Sequence, residues 1–244
     1  MSRLIEWSNR VFYSEVPGGY DDLVLRETVL ERLRPEHRLL DLGAGAGILP
    51  AMDFKGRAAV VCGVDPDPRV AENPYLDDAR VGVGEKIPYE SESFDIVVSD
   101  NVLEHLVDPV AVLNEVARVL KPGGRFIGKT PNAWHYMPLV ARLVPFRFHH
   151  LLIRSTHSRV EADVFPTAYR ANTPGALEQI ARAAGLSVES IRIWDARPGY
   201  LAFSGITYLM GTLYGWIVRH VPGCWRFGAF LTVVLAKPEA AGPR

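Results

Sequence analysis

Little cysteine, no surplus of positive charge and no apolar stretch at the N-terminus each exclude a class of protein. Two cysteines, Cys62 and Cys224, cannot build a disulfide framework in a chain of 244 residues. The formal net charge of −1 provides no clustered basic surface for phosphates, so we expect no nucleic-acid partner. Charged residues fall within the first ten positions, where a signal peptide would carry apolar residues. We therefore expect a cytoplasmic protein.

Short apolar runs alternate with helical patterns along much of the chain. The runs at 38–42, 58–64, 94–99 and 125–129 have the composition of buried strands. Apolar residues at helical spacing predict helices over 21–33 and 109–120, and the second helix is predicted to end at a Lys-Pro-Gly-Gly turn. Strands separated by helices predict a parallel sheet with right-handed crossovers.

Two stretches interrupt this alternation. The first, 131–172, holds four of the seven histidines. A helix with Thr173 as its N-cap and a strand over 186–194 follow, and then a second interruption at 195–225 precedes a last strand over 227–236. The length fits one α/β domain. We therefore predict a single domain, 1–244, with a cofactor-binding core at 21–130 and insertions at 131–172 and 195–225.

The first predicted strand runs into a glycine loop, Asp-Leu-Gly-Ala-Gly-Ala-Gly at 41–47. Between a strand and a helix, such a loop lets a nucleotide approach the backbone N–H groups, but several cofactor classes share it. A dinucleotide site requires Gly or Ala at the sixth loop position, where this chain has Ile48. The carboxylate of Asp41 would not suit a pyrophosphate, whereas it suits a cofactor with a cation, such as the sulfonium of S-adenosylmethionine.

Asp65 ends the second predicted strand. A carboxylate at that place can accept hydrogen bonds from both hydroxyls of a ribose. The alternative role is to cap the turn that runs through Pro66 and Pro68.

Four blocks of sequence occur in order from the glycine loop onwards: LLDLGAGAG, GVDPDP, GEKIPYESESFDIVVSDNVLEHL and EVARVLKPGG. On these blocks, residues 39–130 resemble the cofactor-binding core of the class I S-adenosylmethionine-dependent methyltransferases, in the type 11 branch that includes small-molecule enzymes. The resemblance implies an α/β, Rossmann-like, doubly wound fold with a seven-stranded, mostly parallel sheet, an antiparallel last strand and helical insertions. It also implies S-adenosyl-L-methionine as the cofactor.

The resemblance further implies roles for individual residues. Those around the methionine part of the cofactor are Asp41, Gly43, Gly45, Gly47, Asp100 and Asn101, while Asp65 holds the ribose and Val83, Gly84 and Glu85 border the adenine. Many relatives have an aspartate at the position of Val83, so we expect backbone groups of Gly84 and Glu85 to bind the adenine here. His105 is expected to position the cofactor rather than to act as an acid or base.

We expect the insertions to bind the methyl acceptor. The candidate bases are His135, His149 and His157, accompanied by His150, Asp163, Tyr169 and Arg170. Adjacent histidines do not have a typical metal-ligand spacing, so we expect no metal site. The segment 130–173 is similar to a bacterial branch of these methyltransferases found around surface-glycan biosynthesis. This similarity implies O-methylation of a hydroxyl on a small molecule, a sugar or a lipid-linked glycan.

Three alternatives to this function stay open at this point. One is a C- or N-methyltransferase acting on a quinone or a lipid, which would need no base. The others are a nicotinamide-dependent oxidoreductase and a binding protein that keeps the cofactor fold without catalysis.

The stretch 200–218 is uncharged, and Arg197 and Arg219 flank it. A single membrane span is excluded because the last predicted strand has to rejoin the same sheet. The stretch is therefore a buried helix, a homodimer interface or a peripheral contact with the inner face of the membrane.

Overall fold

The structure, a computed structural model, describes residues 3–14, 20–143 and 166–239. Within these residues it contains six α-helices and seven β-strands. In chain order they are α1 (Arg3–Phe12), α2 (Tyr20–Leu30), β1 (Arg38–Leu42), β2 (Val60–Asp65), β3 (Asp78–Val81), β4 (Phe94–Asp100), α3 (Pro109–Val119), β5 (Leu120–Pro131), α4 (Tyr136–Leu143), α5 (Pro174–Ala183), β6 (Ser187–Trp194), α6 (Gly205–His220) and β7 (Phe230–Ala236).

The seven strands form one sheet in the order β3-β2-β1-β4-β5-β7-β6. The neighbouring strands from β3 to β5 pair in parallel. Strand β7 runs antiparallel to β5. The N–H of Gly123, near the start of β5, donates to the carbonyl of Lys237, just after the end of β7, whereas the N–H of Asn132, just after β5, donates to the carbonyl of Ala229, just before β7. The predicted fold class is confirmed.

Buried apolar side chains hold the central strands against α2. Leu39, Val61 and Ile96 come from three adjacent strands and pack in one cluster with Leu25 and Val29 of α2, all of them at most 1% exposed. Fully burying a side chain of this kind stabilises the fold by about 1.5–3 kcal/mol. This packing fixes the carboxyl ends of β1, β2 and β4, from which the candidate site is built.

Side-chain caps begin two helices, one of them the cap predicted at Thr173. The Asp108 carboxylate accepts a hydrogen bond from the N–H of Ala111 (3.0 Å) at the start of α3, where Pro109 occupies the first turn. At the start of α5, the Thr173 hydroxyl accepts from the N–H of Ala176 (3.2 Å). Each cap satisfies an N–H group that has no partner within its helix.

Several predicted boundaries were wrong. Strand β5 runs through Pro122-Gly123-Gly124, predicted as a turn, because the backbone of Gly123 and Gly124 bonds to that of Lys237. Strand β7 begins three residues later than predicted. Helix α1 and strand β3 were not predicted as elements; β3 is short and its side chains are partly or fully exposed, so it lacks the apolar run of a buried strand.

The chain divides into two compact units. The first consists of Met1–Asp21, Pro131–Pro166 and Ile193–Leu231, and the second of Asp22–Thr130, Thr167–Arg192 and Thr232–Arg244. Both predicted insertions contribute to the first unit. The assignment of residues 1–244 to a single domain stays a prediction.

Helix α6 covers most of the stretch 200–218, for which a buried helix, a homodimer interface and a peripheral membrane contact were the alternatives. Its buried face packs on α1, where the Ser8 and Thr212 hydroxyls lie 2.9 Å apart. Its other face is exposed. Across the part of the chain that the structure describes, no helix has the length and apolar character needed to cross a membrane.

Candidate active site

The glycine loop follows β1 and is fastened to β2. The N–H of Gly43 donates to the carbonyl of Val64 (2.8 Å). Gly43 has a φ of +84°, and a Cβ at this residue would lie 2.3 Å from Cγ2 of Val102, so only glycine fits. At Gly45, with a φ of +51°, no heavy atom lies within 4 Å of the place of a Cβ. The loop backbone therefore faces open space at Gly45, where a ligand can approach it closely.

Three carboxylates end the neighbouring strands β2, β1 and β4: Asp65, Asp41 and Asp100. Asp41 is only 5% exposed. Burial raises the pKa of Asp41 to about 8, and the negative charges of Asp100 and Asp65 add to this shift. A cation placed among these carboxylates would favour their ionised forms.

The carboxylate of Asp65 connects the glycine loop to the turn after β2. Its Oδ2 accepts a hydrogen bond from the N–H of Gly45 (2.9 Å), and its Oδ1 accepts one from the N–H of Asp67 (2.8 Å). The second bond is the turn cap considered as an alternative role. Each oxygen keeps a further lone pair, because a carboxylate has about four acceptor sites. A ribose contact is therefore compatible with the cap, and it stays a prediction.

Asn101 follows β4 in a conformation unusual for a residue with a side chain. Its φ is +52°, and its N–H donates to the carbonyl of Lys129 (2.9 Å). Its Oδ1 is buried and has no hydrogen-bond partner among the described residues. Backbone strain and unsatisfied polar atoms are concentrated at ligand sites. The amide oxygen of Asn101 is thus available to accept a hydrogen bond from a ligand.

The turn predicted to border the adenine contains an exposed Val83 and an exposed Glu85. The N–H of Lys86 donates to the carbonyl of Val83 (3.1 Å), which closes the turn. A Cβ at Gly84 would lie 3.1 Å from a methyl group of Val112, so the turn lies closely against α3. The side chain of Val83 cannot accept a hydrogen bond, and recognition by backbone groups stays a prediction.

Residues 40–128 match the family described as methyltransferase domain. This part of the chain is thus the core of a class I S-adenosylmethionine-dependent methyltransferase domain. The nicotinamide-dependent alternative is thereby excluded.

Individual methyltransferases resemble this chain over part of their length. A ubiquinone biosynthesis O-methyltransferase of Xanthomonas oryzae pv. oryzae is 33% identical over 130 residues, which cover 46% of this chain and 54% of that protein. The uncharacterized methyltransferase YcgJ of Bacillus subtilis is 36% identical over 103 residues, or 38% of this chain and 40% of that protein. The chain thus spans about half or less of the length of these curated relatives.

Solved structures share the fold over nearly the whole chain. The crystal structure of YcgJ has a TM-score of 0.56 at 20% identity and covers 91% of this chain and 100% of that chain. A SAM-dependent methyltransferase from Methanosarcina mazei has a TM-score of 0.55 at 15% identity, with coverages of 87% and 98%. At such low identity the likeness shows the fold alone.

The residues at this edge of the sheet fit S-adenosylmethionine, the methyl donor that the family implies. The donor carries a positively charged sulfonium and an ammonium group. The acidic cluster of Asp41, Asp65 and Asp100 offers negative charge for such cations, and the buried Oδ1 of Asn101 offers an acceptor. The open space at Gly45 leaves room beside the loop backbone. The methyltransferase core therefore has the chemistry that this ligand requires.

Lys129 is a further charged residue of the site that the sequence analysis missed. It is fully buried, and its Nζ lies 2.9 Å from a carboxylate oxygen of Asp22 and 2.9 Å from one of Asp100. A lysine within an apolar strand was the available signal, because lysine is almost never fully buried unless it is paired. Its ion pairs fix the position of Asp100 at the end of β4.

Glu104 was also missed, and it lies beside the predicted His105. Its Oε2 accepts a hydrogen bond from the Thr130 hydroxyl (3.0 Å), and burial raises its pKa. Its carbonyl accepts from the N–H groups of Ala168 (2.7 Å) and Tyr169 (3.0 Å). His105 is partly exposed, and its Nε2 lies 3.9 Å from Oε1 of Glu104. Glu104 thereby joins the segment after β5 to the methyltransferase core.

Of the three candidate bases, only His135 lies among the described residues. It is buried in the first unit, where its ring contacts Tyr136 and Tyr214. Its Nδ1 accepts a hydrogen bond from the N–H of Met137 (3.3 Å), and burial lowers its pKa to about 4. Such a group is neutral at neutral pH and is a weak proton acceptor. His149 and His157, like His150 and Asp163, lie outside the described residues.

The two other residues named with the candidate bases lie in the second unit. Tyr169 has a φ of +51°, and Arg170 donates to the carbonyl of Val107 (2.7 Å). The guanidinium of Arg170 therefore holds the segment before α5 against the loop after β4.

Proposed function

We propose that this protein transfers the methyl group of S-adenosylmethionine to a hydroxyl oxygen of a small molecule, which includes a sugar or a lipid-linked glycan. The observation that carries the proposal is the acidic cluster at the ends of β1, β2 and β4. Its member Asp41 is buried, and its pKa is raised to about 8. A cationic methyl donor bound beside this cluster would favour the ionised form of Asp41, which burial and the neighbouring carboxylates otherwise keep protonated near neutral pH.

The chain's own residues bind and orient in this reaction. S-adenosylmethionine supplies a methyl group on a positively charged sulfur, which an acceptor displaces in line. We assign Asp41 and Asn101 to the amino-acid end of the cofactor and Asp65 to its ribose. Holding both reactants in line supplies much of the rate enhancement in a transfer of this kind.

The hydroxyl acceptor is supported by a relative and by the segment after β5. The relative from Xanthomonas is named as an O-methyltransferase of ubiquinone biosynthesis. The segment 130–173 resembles that of glycan-modifying methyltransferases. When the methyl group bonds to oxygen, the hydroxyl proton has to leave, and we keep His135, His149 and His157 as candidates to accept it. The lowered pKa of His135 favours the other two.

A carbon or nitrogen acceptor in a quinone or lipid is the second candidate. The lowered pKa of His135 is the observation in its favour, because such an acceptor can react without a protein base.

Incubation of the protein with S-adenosylmethionine labelled in its methyl group tests the proposal. The acceptors are a panel of phenols, sugars and lipid-linked glycans, with matched amines, and mass spectrometry identifies the methylated atom. We expect label on oxygen and stoichiometric release of S-adenosylhomocysteine. Label on nitrogen or carbon alone would establish the second candidate instead. Binding of S-adenosylhomocysteine without turnover of any acceptor would argue for a binding protein.

Substitution of Asp65 by Asn tests the cofactor assignment in the same assay. We expect the affinity for S-adenosylhomocysteine, measured by calorimetry, to fall about tenfold or more, because a charge-assisted contact is lost. Asp67→Asn is the matched control: its carboxylate lies in the same turn but bonds to Arg69 (2.6 Å). Equal affinities of the two variants would contradict the ribose role of Asp65.

A further inference from the structure

The outward side of α6 forms a continuous apolar surface. It consists of the exposed side chains of Ile206, Leu209, Met210, Leu213, Trp216 and Ile217, each 37–70% exposed, and we call it the α6 face. These residues follow helical spacing on one side of the helix. The buried residues Tyr208, Gly211, Thr212, Gly215 and Val218 lie on the opposite side. Contiguous exposed apolar surfaces of this kind mark sites of interaction with a protein or a membrane.

Neighbouring segments of the same compact unit extend this apolar character. Exposed apolar side chains continue on α1 and on the chain before and after α6, namely Leu4, Trp7, Val11, Phe203, Val221, Trp225 and Phe227. Four of the five tryptophans of the chain, Trp7, Trp134, Trp216 and Trp225, are exposed in this unit. Tryptophan is enriched at membrane–water interfaces, where its ring packs against lipid and its N–H stays hydrated.

The charge around the α6 face differs in sign from that of the whole protein. Residues 3–12 and 195–227, which include Asp195, the partner of Arg219, contain five arginines, one aspartate and one glutamate; this gives +3, whereas the chain as a whole has −1. Arg219 and His220 end α6, and Arg226 follows it. Helix α6 contains no acidic residue. A basic rim around an apolar helix face is complementary to anionic lipid headgroups.

We propose that the α6 face docks the protein onto the surface of an anionic phospholipid bilayer, with α6 lying in the plane of the headgroups. A span is excluded by length, since 16 residues of helix extend about 24 Å, less than the roughly 30 Å of the hydrocarbon core. A second copy of this chain fits less well, because pairing would bring together two surfaces that each carry a net positive charge. The bilayer alone meets both the apolar surface and the basic rim.

Sedimentation with phospholipid vesicles tests this docking without any methyl acceptor, so its outcome is separate from that of the proposed function. The probes are vesicles of phosphatidylcholine alone and of equal parts phosphatidylcholine and phosphatidylglycerol. We expect the protein to sediment with the anionic vesicles, to do so less at high salt, and to shift its tryptophan emission to the blue. Recovery of the protein in the supernatant with both vesicles would overturn the proposal.

Introducing a charge on the α6 face tests whether this face makes the contact with the vesicles. Leu213→Glu and Ile206→Glu should each lower vesicle binding about tenfold, because a carboxylate resists entry into the interface and repels anionic lipid. Ile206 lies in the first turn, where a carboxylate favours the helix, so this variant keeps the fold. Val188→Glu, on exposed β6 in the other unit, is the matched control and should bind as the unmodified protein does.

Two results would overturn the assignment even if vesicles bind. Unchanged binding by both α6 variants would place the contact elsewhere. A dimer that dissociates on Leu213→Glu in analytical ultracentrifugation would show that a second copy covers the face. If no dimer forms and the charge reversal Arg226→Glu lowers binding to anionic vesicles about fivefold or more, the results support docking on a bilayer through the basic rim.

Discussion

The two compact units of this protein bury polar groups in different ways. In the second unit, buried carboxylates outnumber cations at the ends of β1, β2 and β4, where Lys129 is the buried cation and Asn101 keeps an unsatisfied amide oxygen. In the first unit, the described polar contacts join side chains of the unit to one another and to its backbone: the Tyr214 hydroxyl donates to the carbonyl of Phe227 (2.7 Å), and Arg219 pairs with Asp195 (3.4 Å).

This difference indicates what each unit is built to bind. The second unit brings carboxyl groups together at the ends of these strands, where a bound cationic cofactor would favour their ionised forms. The first unit leaves apolar surface in contact with water, which a partner can cover. We therefore expect one unit to select a ligand by charge and the other a partner by apolar area.

The largest expected effect is the loss of the buried cation. Lys129→Met leaves Asp22 and Asp100 without their buried counter-charge, and removing one member of a buried ion pair costs about 3–5 kcal/mol of folding free energy. Chemical denaturation of the cofactor-free protein measures this loss. The matched control is Lys121→Met: Lys121 pairs with Asp95 at 2.8 Å but is well exposed, so we expect about 1 kcal/mol or less. Similar losses of folding free energy in both variants would contradict the role of Lys129 as the buried counter-charge of Asp22 and Asp100.

Local patterns in the sequence were sufficient to predict the glycine loop and most strands of the sheet. A glycine loop after an apolar run, or Thr173 and Pro174 before a helix, acts within a few residues, and short-range sterics and hydrogen bonds determine the outcome. The partners of Lys129 could not be predicted in this way, since Asp22 is 107 positions away and only the folded sheet brings the two together. The same holds for the contact of Ser8 with Thr212, 204 positions apart, which pairs α1 with α6.

The next largest effect concerns the packing of the glycine loop in the second unit. Gly43→Ala adds a Cβ 2.3 Å from Val102 in a backbone conformation that alanine resists. Overpacking and the left-handed conformation together should cost about 2–4 kcal/mol. We also expect affinity for S-adenosylhomocysteine to fall sharply, because the loop has to move.

Gly175→Ala provides the comparison for Gly43→Ala. Gly175 lies in α5 with nothing within 4 Å of the place of a Cβ, so we expect no loss of stability and unchanged cofactor affinity. Thermal unfolding and calorimetry measure both quantities. Normal cofactor affinity in Gly43→Ala would show that the loop is not the binding element.

The last prediction concerns the pH dependence of stability, a small change per pH unit that separates the two units. Burial raises the pKa of Asp41 to about 8 and that of Asp195 to about 6, both from an ordinary value of 3.8. Between the ordinary and the raised value, the folded protein holds a proton that the unfolded chain has released. The free energy of unfolding therefore falls as pH rises, by about 1.4 kcal/mol per pH unit for each such proton.

Different pH ranges separate the contribution of Asp41, in the second unit, to the free energy of unfolding from that of Asp195, in the first unit. From pH 4 to 6 both carboxylates lower the stability as pH rises, whereas from pH 6 to 8 only Asp41 of this pair does. Asp41→Asn should remove its contribution across pH 6–8, while Asp195→Asn should change the slope below pH 6 and leave it unchanged above. His135, with a pKa lowered to about 4, acts in the opposite direction below pH 6.5, but it is common to all three proteins and cancels in the comparison. Denaturation curves at four or more pH values measure these slopes. A slope above pH 6 that survives Asp41→Asn would place the excess proton on another group and remove the main electrostatic distinction between the units.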